Sequence, residues 1–489
     1  MAVQPTSSRP HVIASIMAAM VMVAIEVTIV STAMPQIVAQ LGGLNLYSWV
    51  FSSFLLTQTA MTVVFGKLAD IYGRKPVMLL GIAIFLVGSV LAGFAWSMPS
   101  MIVFRLIQGI GAGAVQPVAL TIVADLYPAR ERGKVQGYLA SVWALSAVVG
   151  PMVGGLIIHN LSWAWIFWIN VPIGIAAAAG FIRYLKEDAS HERRSIDVIG
   201  AALFTIAVAA LMSALTESAS ANGTVALWSA VLFCVSSVLF FFQEQRAVDP
   251  MISFALWSRR PIAATNGVGL LASMALMGLT TFLPMYVQGV LHRSPLVAGL
   301  ALTMMMLGWP VAATLAARLF HRVGLRRILV VGSALLPLGG IVFVLLTPDS
   351  SPVTAAMGSL VMGFGMGLVS VSSLVLIQEV VNWSQRGITT ASNVFARNLG
   401  STLGATALGA VFNYGLIHTH GVGAVSADQL RALLATPVGM VGDNAVMLAL
   451  HQSLHLTFWV MLVMTFGIVL LALLVPSVRI REAGEAPAE

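Results

Sequence analysis

Fourteen stretches of this 489-residue chain are apolar over roughly the 20 residues that a helix needs to cross a hydrocarbon core. They run near 12–34, 48–66, 77–97, 101–124, 135–158, 163–183, 197–216, 226–242, 262–288, 296–317, 328–346, 354–378, 388–416 and 454–475. The longest polar connections are 184–196, 243–261 and 417–453, and none leaves room for a soluble domain. Composition agrees: 58% of residues are hydrophobic and 9% charged, against about 45–50% and about 25% in soluble domains. That balance excludes a disordered chain, a disulfide scaffold, a nucleic-acid-binding module and nearly every soluble enzyme. Cys234 is the single cysteine, so no internal disulfide forms. The expected fold is all-α and integral to the membrane, with fourteen transmembrane helices. The first apolar run continues to Pro35, too long for a signal-peptide core, and is expected to stay as the first span.

The placement of charge sets the sidedness. Of 25 Lys and Arg residues, 21 fall in alternate connections or termini that share one face, among them Arg9, Lys67, Arg74, Lys75, Arg132, Arg386 and Arg481. The other face carries Arg293 and Arg431, and Arg105 and Arg397 lie within spans. The positive-inside rule then places the basic face and both termini in the cytoplasm. The formal net charge of +7 is read as a topology signal, with no nucleic-acid partner. No Gly-x-x-x-x-Gly-Lys-Ser/Thr loop is present. Energy is expected from an ion gradient, with no cofactor, and no His spacing points to a metal site.

A short repeat divides the chain. Gly66-Lys67-Leu68-Ala69-Asp70-Ile71-Tyr72-Gly73-Arg74-Lys75-Pro76 follows span 2, and Ala317-Arg318-Leu319-Phe320-His321-Arg322-Val323-Gly324-Leu325-Arg326-Arg327 follows span 10. Both are short and basic, with Gly at the same offset. This implies two six-helix bundles, 1–190 and 261–476, around two inserted helices with cytoplasmic linkers over 191–260, and a tail over 477–489. Parallel halves of this kind are a transporter plan. Gly73 permits a tight turn, and Asp70 lies close to Arg74, Lys75 and the start of the next helix, where it can tie helix ends together.

At this point the sequence resembles the major facilitator superfamily. The run from Gly66 to Lys75 is similar to the superfamily's loop 2–3 signature. In the family that loop latches the two halves on the cytoplasmic side, and the resemblance extends this role to Gly66, Asp70, Gly73, Arg74 and Lys75. Arg105-Leu106-Ile107-Gln108-Gly109 resembles the intramembrane arginine motif, and Gly150-Pro151-Met152-Val153-Gly154-Gly155 resembles the exporter signature. Trp163 to Gly174, Tyr286 to Leu291 and Arg397-Asn398-Leu399-Gly400 resemble the fourteen-span drug:proton antiporter branch. The resemblance implies a proton-coupled exporter of lipophilic, often cationic small molecules, acting as a monomer in a cytoplasmic (inner) membrane with protons and the lipid bilayer as its partners. An exporter of an anionic metabolite, siderophore or lipid, using Arg105 and Arg397, is the alternative; a receptor or scaffold without flux is a third.

Ionisable groups within spans are expensive and mark function by default. Glu26 lies about 21 Å along the first span. With no opposing charge in that span, it must protonate, pair or face water, so it is expected to exchange a proton for cargo. Permanent pairing, with Arg105 as partner, is the competing possibility. The resemblance implies a role in proton coupling for Arg105, against snorkelling to the cytoplasmic face. Asp125, Glu379, Glu217 and Glu244 are read as solvated helix ends. In span 5, Pro151 removes a helix hydrogen bond, and Gly150, Gly154 and Gly155 allow close helix approach; the set is read as a hinge. Polar, aromatic and methionine side chains suited to a lipophilic cation nominate a cavity of Trp49, Phe54, Gln58, Met274, Met277, Phe282, Tyr286, Trp309, Gln378, Asn393 and Phe395.

Overall fold

A computed structural model of the chain describes residues 8–42, 46–187, 197–218, 223–247, 254–417 and 444–476. These residues are almost entirely helical. In chain order the helices are α1 (Arg9–Leu41), α2 (Tyr47–Tyr72), α3 (Arg74–Gly93), α4 (Met98–Leu126), α5 (Ala129–Asn160), α6 (Trp165–Trp168), α7 (Asn170–Tyr184) and α8 (Val198–Ser218). They continue with α9 (Gly223–Arg246), α10 (Phe254–Trp257), α11 (Arg260–Gly289), α12 (Pro295–Val323), α13 (Leu325–Val344), α14 (Pro352–Glu379), α15 (Arg386–Ile417) and α16 (Asn444–Leu474). The predicted tail 477–489 and most of the connection 417–453 lie outside the described residues.

Every predicted stretch falls on helix, with three local differences. Stretch 163–183 is divided between α6 and α7, because Pro172 has no N–H for the helix ladder and its ring crowds the carbonyl of Trp168. Helix α3 stops at Gly93 rather than 97. Helix α16 begins at Asn444, well before the predicted 454, which brings His451 into the helix that already held His455. Among the described residues, twelve helices are long and apolar enough to cross a membrane. Helices α5 and α15, 32 residues each, are not among the twelve. Both carry polar residues early, including Arg132 and Gln136 in α5 and Thr389, Thr390, Asn393 and Arg397 in α15.

The helices assemble into two compact units. The first holds α1 to α10 together with Ile377–Phe395, the end of α14 and the start of α15. Its centre is α4, packed between α2 and α3. Small residues make that approach possible. A Cβ on Gly109 would strike the carbonyl oxygen of Phe54, and one on Gly111 would strike the backbone of Phe85. Helix α1 packs on α5 and α7, while α8 packs on α9 and α2.

The second unit holds Arg260–Leu376 and Ala396–Arg481. Helix α16 lies against α11 and α13. Phe282, Tyr286, Phe343, Phe412 and Phe458 fill its apolar core. The sequence repeat reappears as geometry. Gly73 separates α2 from α3 at φ +98°, and Gly324 separates α12 from α13 at φ +86°. A side chain is strained at either φ, so glycine is the residue that lets two long helices follow one another without a loop.

Candidate functional site

Two polar networks sit in the first unit, and between them they hold most of its buried charge. The first is centred on Glu26 in α1, which is fully buried. Arg105 from α4, 1% exposed, forms an ion pair with its Oε1, and Asn170 Nδ2 donates to its Oε2 at 2.6 Å. The guanidinium has further partners. Its Nε donates to the Val50 carbonyl at 3.1 Å, its Nη1 to Gln108 Oε1 at 2.7 Å, and it lies 4.3 Å from the Phe54 ring centroid. Gln108 Nε2 in turn donates to Ser89 Oγ at 2.7 Å. Ile25, Ile29, Val50, Met101 and Phe167 belong to the apolar cluster around this network.

The expectation of an acid without a counter-ion is therefore corrected: Glu26 is paired. The span pattern hid this because Arg105 is 79 residues away in sequence and meets Glu26 only through the α1, α2, α4 packing. Nor does Arg105 snorkel. Its guanidinium is held inward by four separate groups, and the expected topology itself puts the start of α4 on the outer side.

The second network gathers around the junction of α2 and α3. Asp70 accepts from the backbone N–H of Gly387 at 2.9 Å and Ile388 at 2.7 Å, and from Arg74 Nη2 at 3.0 Å. It thus caps the first turn of α15, where the helix dipole favours an anion. Gly66 makes room for this contact: a Cβ there would strike Ala391. Arg74 is fully buried. It pairs with Asp125 at 3.1 Å, donates to the carbonyls of Ala69 and Trp383, and lies 3.9 Å from the centroid of the Trp383 ring. Arg386 reaches Asp125 at 3.4 Å, and Arg132 pairs with Glu379 at 2.8 Å.

The helix end that Asp70 holds is α15 and not α3. The start of α3 is held by Glu187, whose carboxylate accepts from the N–H groups of Arg74 at 2.8 Å and Lys75 at 2.9 Å. Lys75 Nζ returns the contact, donating to the carbonyls of Ile182 and Leu185 at the end of α7. Glu187, Trp383 and Asn170 were missed from sequence, since each is a lone polar or aromatic residue whose partner is distant in the chain. Asp125 and Glu379 are paired and buried rather than solvated. Glu217 and Glu244 are each 4% exposed, and Glu217 accepts from Trp49 Nε1 at 2.8 Å.

Residues 16–405 match the Major Facilitator Superfamily. The chain belongs to that family. It is a multi-pass membrane transporter of the major facilitator fold. It is 33% identical over 414 residues to the Multidrug transporter protein MdtP of Bacillus subtilis (strain 168), covering 83% of this chain and 76% of that protein. It is 34% identical over 412 residues to Multidrug resistance protein 3 of the same organism, covering 83% and 80%. In fold it is similar to the human organic anion transporter MFSD10 (TETRAN), with a TM-score of 0.64 at 17% identity, over 94% of this chain and 100% of that one.

The remaining predicted residues of this major facilitator transporter fall into distinct settings. In the exporter motif, Gly150 packs on α1, where a Cβ would strike Thr28 Oγ1. Gly154 is buried. Gly155 is exposed and meets nothing, which corrects the close packing expected of it. The side chain of Pro151 lies outside the described residues. Of the cavity set, Phe54 lies beneath Arg105, and Gln378 Nε2 donates to Thr390 Oγ1 at 3.1 Å. Gln58 and Asn393 are buried. Phe395 packs, with its ring tilted, against Phe204 and Trp257 of the inserted segment. Phe282 and Tyr286 are core residues of the second unit, a correction to their nomination as cavity lining. Met274, Met277 and Trp309 are half-buried in the same unit. Among the described residues, no three His, Cys, Asp or Glu side chains come together to hold a metal.

Proposed function

We propose that this transporter is a fourteen-span exporter of lipophilic, often cationic small molecules, driven by proton antiport. It sits in a cytoplasmic membrane as a monomer, with both termini inside, and works by alternating access of its two bundles. Its relatives' names, a multidrug transporter and a multidrug resistance protein, support the substrate class. The observation that carries proton coupling is the way Arg105 is held. A proton on Glu26 would cancel the ion pair, yet the guanidinium would keep Gln108, the Val50 carbonyl and the Phe54 ring. An arginine does not give up its charge, so a counter-ion that can be released needs such secondary acceptors. Glu26 can thereby trade Arg105 for a proton, and the proton for a cation. The Asp70–Arg74–Asp125 network acts as a cytoplasmic latch, because it ties α15 to the α2–α3 junction through charge-assisted bonds. Gly150, seated on Thr28 two residues from Glu26, makes α5 the hinge partner of α1.

The test is export of ethidium from proteoliposomes under an imposed pH gradient. Uphill export that collapses with an uncoupler supports the reading; gradient-independent export refutes it. A second reading rests on Arg397. Half-buried inside α15, its side chain has no acceptor and no acidic partner among the described residues. A ligand carrying a carboxylate would meet that need, and competition by lipophilic anions rather than cations would favour it.

A further inference from the structure

The early start of α16 places Met447, His451, His455 and Trp459 four residues apart on one helical face. All four are engaged. His292 Nε2 lies 3.1 Å from Met447 Sδ. Tyr286 Oη lies 3.2 Å from His451 Nδ1. The His451 and His455 rings lie 5.5 Å apart with their planes tilted by 38°, and Trp459 meets His455 edge-on. His455 Nε2 bonds the Val344 carbonyl of α13. His292, which closes this cluster, is the one non-glycine residue with positive φ among the described residues, at +48°. Ionisable groups in a membrane-crossing helix carry a cost that calls for a role.

The proton positions follow from the partners. A carbonyl only accepts, so His455 Nε2 carries a hydrogen in every charge state. Tyr286 is fully buried. While His451 is neutral, the tyrosine hydroxyl donates to Nδ1. Once His451 is charged, Nδ1–H donates to the tyrosine oxygen. The same contact can serve both states by reversing the direction of its hydrogen bond. The neighbouring His455 is the other titratable group acting on His451. Two imidazolium rings this close repel, so charge on one ring disfavours charge on the other. From α13 the cluster meets a carbonyl alone; from the end of α11 it meets His292, followed by the exposed Arg293. Among the described residues no carboxylate lies within ion-pair reach of His451.

We propose that His451, hydrogen-bonded to Tyr286 and packed beside His455, is a second proton-binding site of this transporter, in addition to Glu26. Its place in transport rests on the proton-antiport reading, which puts this end of α11 and α16 on the outer, proton-supplying side. The test is potentiometric titration of the purified full-length protein over about pH 5–8, the range in which imidazoles change charge. His451→Gln should bind about one proton fewer than wild type. Tyr286→Phe keeps the ring packing and should move the pH at which that proton binds; it also serves alone if the first variant does not fold. Titration curves for Tyr286→Phe that superimpose on wild type overturn the proposal. Transport is read separately, as protons released on adding ethidium. His451→Gln should release fewer than wild type at about pH 6 and the same number at about pH 8, and equal release at both also overturns it. No release from wild type would refute proton antiport itself while leaving the titration difference in place.

Discussion

Substituting Asp70 by Asn removes one charge and changes almost no volume. The carboxylate accepts three bonds: two from the first N–H groups of α15 and one from Arg74. Both partners of the ion pair are buried, with side chains 0% and 5% exposed. Breaking such a pair from one side costs about 3–5 kcal/mol, because the surviving charge is left in a dry site. The amide oxygen retains one acceptor for α15, so the cap itself, worth about 1 kcal/mol, is only partly lost. The pair loss therefore dominates, moderated by Asp125 remaining at 3.1 Å from Arg74. The expected outcome is destabilisation of about 3 kcal/mol, read as lower thermal stability in detergent, with ethidium export reduced at least tenfold. A double-mutant cycle with Arg74→Gln isolates the coupling. Additive effects, or an Asp70→Asn protein within about 0.5 kcal/mol of wild type, would refute the claim that this carboxylate holds α15 to the α2–α3 junction.

Two further outcomes follow from packing and charge. Arg132 and Glu379 are 4% and 5% exposed, so Glu379→Gln alone should cost about 3 kcal/mol, while Arg132→Met with Glu379→Met should recover most of it; melting temperatures in detergent decide. Gly109→Leu should prevent α4 from reaching α2, with a loss of folded, monodisperse protein, whereas Gly155→Leu, which meets open space, should be tolerated.

The spans were legible because a long apolar run in lipid has one solution, a helix that satisfies its own backbone. The Gly73 and Gly324 turns were legible for a similar reason, since a glycine at a fixed offset between basic flanks marks a backbone demand. Partners were not legible. Glu26 looked isolated because its counter-charge and its amide donor come from α4 and α7. Asp125, Glu379 and Glu217 looked solvated because their positions near helix ends say nothing about what packs over them. Phe282 and Tyr286 looked like cavity lining because aromatic residues within a span carry the same signal whether they face a ligand or one another. His451 was not legible because polar residues at the head of α16 conceal where the helix begins, and His455, inside the expected span, gave no sign of its partner on α13.

The most direct measurement is proton release on adding ethidium to the purified protein in weakly buffered detergent, comparing wild type with Glu26→Gln. Wild type should release protons as ethidium binds, and Glu26→Gln should lose the share that this carboxylate supplies and fail to export uphill. A Glu26→Gln protein that releases as many protons as wild type and still exports against a gradient would contradict the exchange of proton for cargo at Glu26.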